Sequence, residues 1–213
     1  MSVNEDIQTT PVGAPVSGIA DPAPLGLAAF ALTTFLLSAF NAGWMTHSSG
    51  LAWVGYALAY GGLIQLLAGM WEFRNRNVFG ATAFASYGGF WIGLFLYFQL
   101  YGAKLAVHPA TLGLFQKDVG WILLAFAIFN TYMLLWSTQV NLAVFGVFLT
   151  LEATEIILFA GNFAGNANIV KAGGYVGVLT ALVAWYTSAA GVANGMGGRV
   201  TVPVGRPLLG ARL

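Results

Sequence analysis

The sequence predicts an all-α integral membrane protein, a bundle of six transmembrane helices, on three observations. Of its 213 residues 58% are hydrophobic and 7% charged, where a soluble domain carries about 25% charged residues. Mean hydropathy is +0.78. The apolar residues are gathered into six runs, each near the length of about 20 residues that a helix needs to cross a bilayer.

The first run, Leu25–Met45, follows "DPAPLGLAAF", a sharply defined helix start. Asp21 can accept hydrogen bonds from the unpaired N–H groups of a first turn. Pro22 and Pro24 suit that turn because proline has no N–H to lose and a helical φ. The other runs are Leu51–Trp71, Val78–Tyr101, Val119–Ser137, Val140–Gly161 and Ile169–Val192. The breaks are "THSSG", "EFRNRN", the stretch 102–118, Thr138–Gln139, "NFAGNAN" and a Gly/Pro/Arg-rich end. Only 102–118 has room for a substantial loop, and Thr138–Gln139 barely turns the chain. The expected layout is a polar tail over 1–20, one membrane domain over 21–194 and a cytoplasmic tail over 195–213. The first twenty residues lack the basic and apolar regions of a signal peptide.

Small residues in "YALAYGGLIQLLAG" and "FGATAFASYGGFWIG" predict closely approaching helices. Trp44, Trp71 and Trp136 fall at span ends, where aromatic belts form. Tyr87 and Trp91 lie well inside a span and are expected to face protein or a pore. With the N-terminus inside, Arg74, Arg76, Arg199, Arg206 and Arg212 lie on the inner side and Lys104, Lys117 and Lys171 on the outer. The positive-inside rule thus favours both termini in the cytoplasm and the cell membrane as the location. "FNAG" after the first span and "GNFAGN" after the fifth rhyme weakly.

Several classes drop out. A net charge of +1 without a basic stripe gives no reason to expect nucleic acid as a partner. Zero cysteines exclude disulfides, Cys-ligated zinc and iron–sulfur clusters. His47 and His108 stand in different loops without a carboxylate at metal-ligand spacing, so no metal and no cofactor is expected. No P-loop, GxSxG or HExxH appears. Polar residues inside the spans carry more: Thr33, Thr34, Ser38 and Asn41 in the first, Gln65 in the second, Thr82, Ser86 and Tyr87 in the third. Thr34, Ser38 and Asn41 share one helical face. Such residues either hydrogen-bond a small polar solute or join helices, at about 0.6 kcal/mol per contact.

Glu152 and Glu155 stand mid-span in "LTLEATEIILFAG". Two ionised, unpaired acids there would cost about 5–7 kcal/mol. They must be protonated, hydrogen-bonded, in a water-filled cavity or at a subunit contact. They form either a proton site in a transport path or a buried structural pair bonded to a neighbouring helix.

The opening peptide resembles the N-P-A-P-L-G-L signature of the acetate uptake transporter family, also called the GPR/FUN/YaaH family, whose bacterial members include the succinate–acetate permease. "YGGLIQLLAGMWEFRNRNVFG", "TAFASYGGFW", "GNFAGNANIV" and "GRVTVPVG" are similar to its further motifs, so the likeness runs from Asp21 to Gly205. The resemblance implies six helices per protomer, a homohexamer and a pore in each protomer for acetate and related small monocarboxylates such as succinate. It implies a hydrophobic constriction made by Phe30, Tyr87 and Leu151, or Leu149 if the register of the fifth span slips. It places Asp21, Pro22, Pro24, Leu25, Gly26, Leu27 and Asn166 along the path, and Thr34, Asn41, Gln65 and Ser86, among the polar residues of the spans, are the candidate polar stations of such a path. Asp21 replaces the signature asparagine, and Glu155 stands where the family has an apolar or aromatic residue. Both add negative charge to an anion path, so a neutral acid or proton-coupled passage meets less repulsion. The alternatives are a channel for ammonium or another small neutral solute, and a membrane-embedded enzyme or assembly protein without a path.

Overall fold

The computed structural model describes residues 18–210. Six helices are long and apolar enough to cross a membrane: α1 Ala23–Asn41, α2 Ala52–Arg74, α3 Val78–Val107, α4 Leu112–Ser137, α5 Leu142–Phe163 and α6 Ala167–Gly195. Each packs on its neighbours in sequence, and α1 closes onto α6, so the chain runs up and down around one ring. The seam between α3 and α4 is the thinnest and opens outward as a groove lined by Ala85, Ser86, Gly89 and Phe126.

The bundle is built for lipid. Trp44, Trp71, Trp121, Trp136, Leu149 and many other large apolar side chains turn outward, while Thr33, Gln65, Asn130, Thr154, Glu155 and Thr180 are buried among the helices. In lipid the helices associate through close packing and hydrogen bonds rather than through apolar burial. Glycine supplies the closeness. A Cβ on Gly69 would lie 2.5 Å from Ala85 N, and one on Gly88 would lie 2.7 Å from Leu66 N, so α2 and α3 touch backbone to backbone. Gly174 meets the backbone at Asn41 and Ala42, Gly177 meets Ser38 and Gly191 meets Pro24, which zips α1 along α6.

Two sequence expectations are corrected. The stretch 102–118 holds no long loop: α3 continues to Val107 through a π-helical turn at Phe98–Gly102, and α4 begins at Leu112. At 1.5 Å per residue these helices outrun a hydrocarbon core of about 30 Å, so their polar ends reach water. The end after Gly195 is no free tail, because it folds back under the bundle. Leu208 N and Leu209 N donate to Thr138 O, Ala143 N donates to Val204 O, and Tyr186 donates to Pro203 O. Residues 1–17, and Arg212, lie outside the described residues.

The weak rhyme has a local cause. Gly43 (φ 76°) and Gly165 (φ 60°) end α1 and α5 in the left-handed conformation. At both ends the next residue's N–H closes on the carbonyl five residues back, Trp44 N on Ala39 O and Asn166 N on Gly161 O.

Candidate functional site

Asp21, Pro22 and Pro24 sit where the sequence puts them, at the start of α1. Asp21 Oδ1 accepts from Ala23 N at 2.9 Å, and Pro24 O accepts from Ser188 of α6 at 2.6 Å. Gly26 lets the ring of Phe84 lie against the α1 backbone. The peptide thereby locks α1 against α3 and α6 at one end of the bundle.

One turn further along, the three residues expected at a constriction meet. Phe30 from α1, Tyr87 from α3 and Leu151 from α5 line one cavity together with Leu27, Gln65, Ala83, Phe84, Val147 and Phe148. The odd-numbered helices thus send two or three side chains each inward at the same level. The Phe30 and Tyr87 rings meet edge to face with centroids 5.7 Å apart. Phe126 and Phe129 of α4 flank Tyr87 on its other side at 5.6 and 5.5 Å. On α5, Leu151 is buried and faces this cavity, whereas Leu149 is 48% exposed. The cavity holds about 30 Å³, room for water but not for a carboxylic acid. Gln65 borders it on α2, and its Oε1 has no hydrogen-bond partner. Thr34 Oγ1, one turn beyond Phe30 on α1, is likewise buried without a partner.

The two acids of α5 join a hydrogen-bonded cluster with α3 and α4. Tyr87 Oη lies 3.1 Å from Glu155 Oε1 and 3.1 Å from Asn130 Oδ1. Asn130 Nδ2 donates to Phe148 O at 3.0 Å and to Glu152 Oε2 at 2.7 Å. Thr131 Oγ1 lies 2.9 Å from Glu152 Oε1. Glu155, one helical turn past Leu151, is 3% exposed, and its Oε2 has no partner. Among the described residues neither carboxyl group is paired with a cation. Asn130 and Thr131 were missed in the sequence. The signal was present: "FNTYM" is a polar pair in the middle of an apolar span.

Other expected path residues lie elsewhere. Leu25 turns outward. Ser86 borders the outward groove between α3 and α4, not the central cavity. Asn166 is exposed and caps α6, accepting from Asn168 N at 3.0 Å. Asn41 is the last residue of α1, about three turns from the cavity. His47 and His108 are exposed, and no cluster of metal-ligating side chains occurs among the described residues.

Residues 5–206 match the model of the family described as the GPR1/FUN34/yaaH family. The chain is 42% identical to Accumulation of dyads protein 2 of Saccharomyces cerevisiae over 85% of its own length and 64% of that protein. It is 41% identical to Acetate permease A of Emericella nidulans, with 87% and 65% covered. It therefore spans a little under two thirds of these fungal relatives. The Succinate-acetate/proton symporter SatP of Escherichia coli K12 is nearer in size, 34% identical with 88% of this chain and 96% of that one covered. A solved structure of the bacterial acetate channel SatP superposes with a TM-score of 0.76 at 33% identity, covering 88% of this chain and 99% of the other. With six membrane-length helices and a family match along nearly its whole length, this multi-pass membrane protein belongs to the GPR1/FUN34/yaaH family.

Proposed function

We propose that the protein carries acetate and related small monocarboxylates, succinate among the wider candidates, through the centre of each six-helix bundle. One observation carries the reading: Phe30, Tyr87 and Leu151, drawn from three helices, surround a single cavity in a chain similar to an acetate channel over nearly all of that channel's length. Ammonium is the second reading, because a relative 40% identical over 85% of this chain is named Ammonia transport outward protein 2.

The narrow point is apolar and too small for a carboxylic acid, so passage requires the ring of Phe30 or Tyr87 to rotate. Glu152 and Glu155 are the proton site of the path, and a proton there removes a charge that would repel an anion. Arg74, Arg76, Arg199 and Arg206 lie towards the end of the bundle where α1 begins and α6 ends, which supports cytoplasmic termini in the cell membrane. The outward small residues Ala85, Gly89 and Gly93 in the α3–α4 groove support a closed ring of protomers, six by the family likeness. Native mass spectrometry in mild detergent should give that ring, and a stable monomer would remove it.

Uptake of labelled acetate across a pH series tests the proton site. Glu155→Gln keeps size and hydrogen bonding without titration, so its uptake should lose most of the parent's pH dependence. Unchanged profiles in both Glu152→Gln and Glu155→Gln would reduce the pair to a structural role.

A further inference from the structure

The cluster around Tyr87 has too few protons for its contacts unless one carboxyl supplies another. The amide of Asn130 can be oriented in one way only. Its Nδ2 faces the carbonyl oxygen of Phe148 at 3.0 Å, a group that cannot donate, so Nδ2 must be the donor there. Oδ1 is then the atom 3.1 Å from Tyr87 Oη. Oδ1 only accepts, and among the described residues no other donor reaches it, so Asn130 is satisfied only when the single hydroxyl proton of Tyr87 goes to it. Glu155 Oε1 stands 3.1 Å from the same hydroxyl oxygen. As a carboxylate it would set lone pair against lone pair inside a buried site. As a carboxylic acid it donates to Tyr87 Oη, and all three contacts are satisfied.

We propose that Asn130 is a positioning residue that draws the Tyr87 hydroxyl proton to itself and so makes Glu155 a neutral hydrogen-bond donor beside the constriction. Glu152 is the accepting end of the same cluster. It takes Asn130 Nδ2 at 2.7 Å, the short separation of a charge-assisted bond, and its surroundings are half-open to the outside of the bundle. Its other neighbour, Thr131, can serve it freely, because the Ala127 carbonyl that also takes the Thr131 hydroxyl already accepts a helical N–H.

The titratable groups around Glu155 do not alter this. On α5 the neighbour is Glu152. On α3 it is Tyr87. On α4, Tyr132 turns outward, and Lys117 and Asp118 lie at the far end of the helix. On α6, Lys171, Tyr175 and Tyr186 all face outward. α1 and α2 bring only uncharged groups, Thr34 and Gln65, to this level.

The consequence bears on the proposed transport, on which the role of the constriction rests. The Tyr87 hydroxyl is held sideways, away from the cavity, and no charge stands at the narrow point, so the extra acid of this chain does not repel a carboxylate there.

Infrared difference spectra of the full-length protein in phospholipid vesicles, recorded at neutral pH without solute, test the assignment apart from transport. The parent should show the carbonyl stretch of a neutral carboxylic acid. Glu72, the other deeply buried carboxyl group, contributes a component of its own that Glu72→Gln identifies; beyond that component Glu155→Gln should lose the band, and Glu152→Gln should keep it. In Asn130→Leu the freed Tyr87 hydroxyl can donate to Glu155 and favour its carboxylate, so the band should lose intensity and what remains should move to lower frequency. In Tyr87→Phe the acid loses its acceptor, so the band should move to higher frequency. Absence of the band from the parent, its survival in Glu155→Gln, its loss in Glu152→Gln, or an unmoved band in both Asn130→Leu and Tyr87→Phe would overturn the proposal. Because no solute is present, failure of acetate uptake would leave the proton assignment standing, and failure of the band would leave uptake standing.

Discussion

Tyr87 works in two directions at once. Its ring closes the cavity with Phe30 and Leu151, and its hydroxyl is held by Asn130 and Glu155 from the neighbouring helices. Four aromatic neighbours, Phe30, Phe90, Phe126 and Phe129, fix the ring plane. Phe30 lacks any such polar anchor, so it is the easier of the two rings to move. On the proposed function it is therefore the residue expected to set the width of the path. Phe30→Ala should raise uptake of butyrate relative to acetate in a competition assay. Replacing a packed core phenylalanine costs about 3–5 kcal/mol, and the loss here should fall below that range because one side of the ring borders open space. A butyrate-to-acetate ratio equal to the parent's would place the selecting width elsewhere.

At the scale of helices, the small-residue runs were the most legible part of the sequence. "YGGLIQLLAG" places Gly61, Gln65 and Gly69 four residues apart, hence on one face. Gly61 receives the Thr33 side chain, Gly69 receives the Ala85 backbone, and Gln65 between them borders the cavity. The same pattern that packs α2 therefore delivers its one polar amide to the cavity. Gly88→Ala should wedge α3 from α2, because the new Cβ would strike the Leu66 backbone and not a movable side chain. Overpacking of this kind costs about 1–3 kcal/mol, read as a lower thermal unfolding midpoint in detergent, and an unchanged midpoint would show that the two helices are not held this closely. Other features were hidden. The stretch 102–118 looked like a loop because Lys104, His108, Pro109, Lys117 and Asp118 are polar or helix-breaking. Those residues suit helix ends that stand clear of the hydrocarbon, where polarity says nothing about helicity. Asn130 escaped notice because an uncharged residue barely dents the hydropathy of a span, although its neighbours make it the hub of the cluster. Asn166 was legible in a different way. Its motif is real, but its work is local, closing α5 and capping α6.

For the whole molecule, the ring of six helices explains why one short peptide matters so much. Asp21–Leu27 is the place where α1, α3 and α6 are pinned together, through Gly26 on Phe84, Pro24 on Gly191 and Ser188 on Pro24. From that fixed end the odd-numbered helices carry Phe30, Tyr87 and Leu151 to one level, while the outer faces stay apolar for lipid. The central claim is that solute crosses between those three side chains, inside a single bundle. The direct measurement is uptake of labelled acetate into proteoliposomes holding either the parent or Leu151→Trp, each checked for insertion and assembly. Saturable uptake by the parent, abolished by the bulky side chain in an otherwise intact assembly, is the expected result. Uptake by the parent no faster than in empty vesicles, or full uptake through Leu151→Trp, would contradict the account.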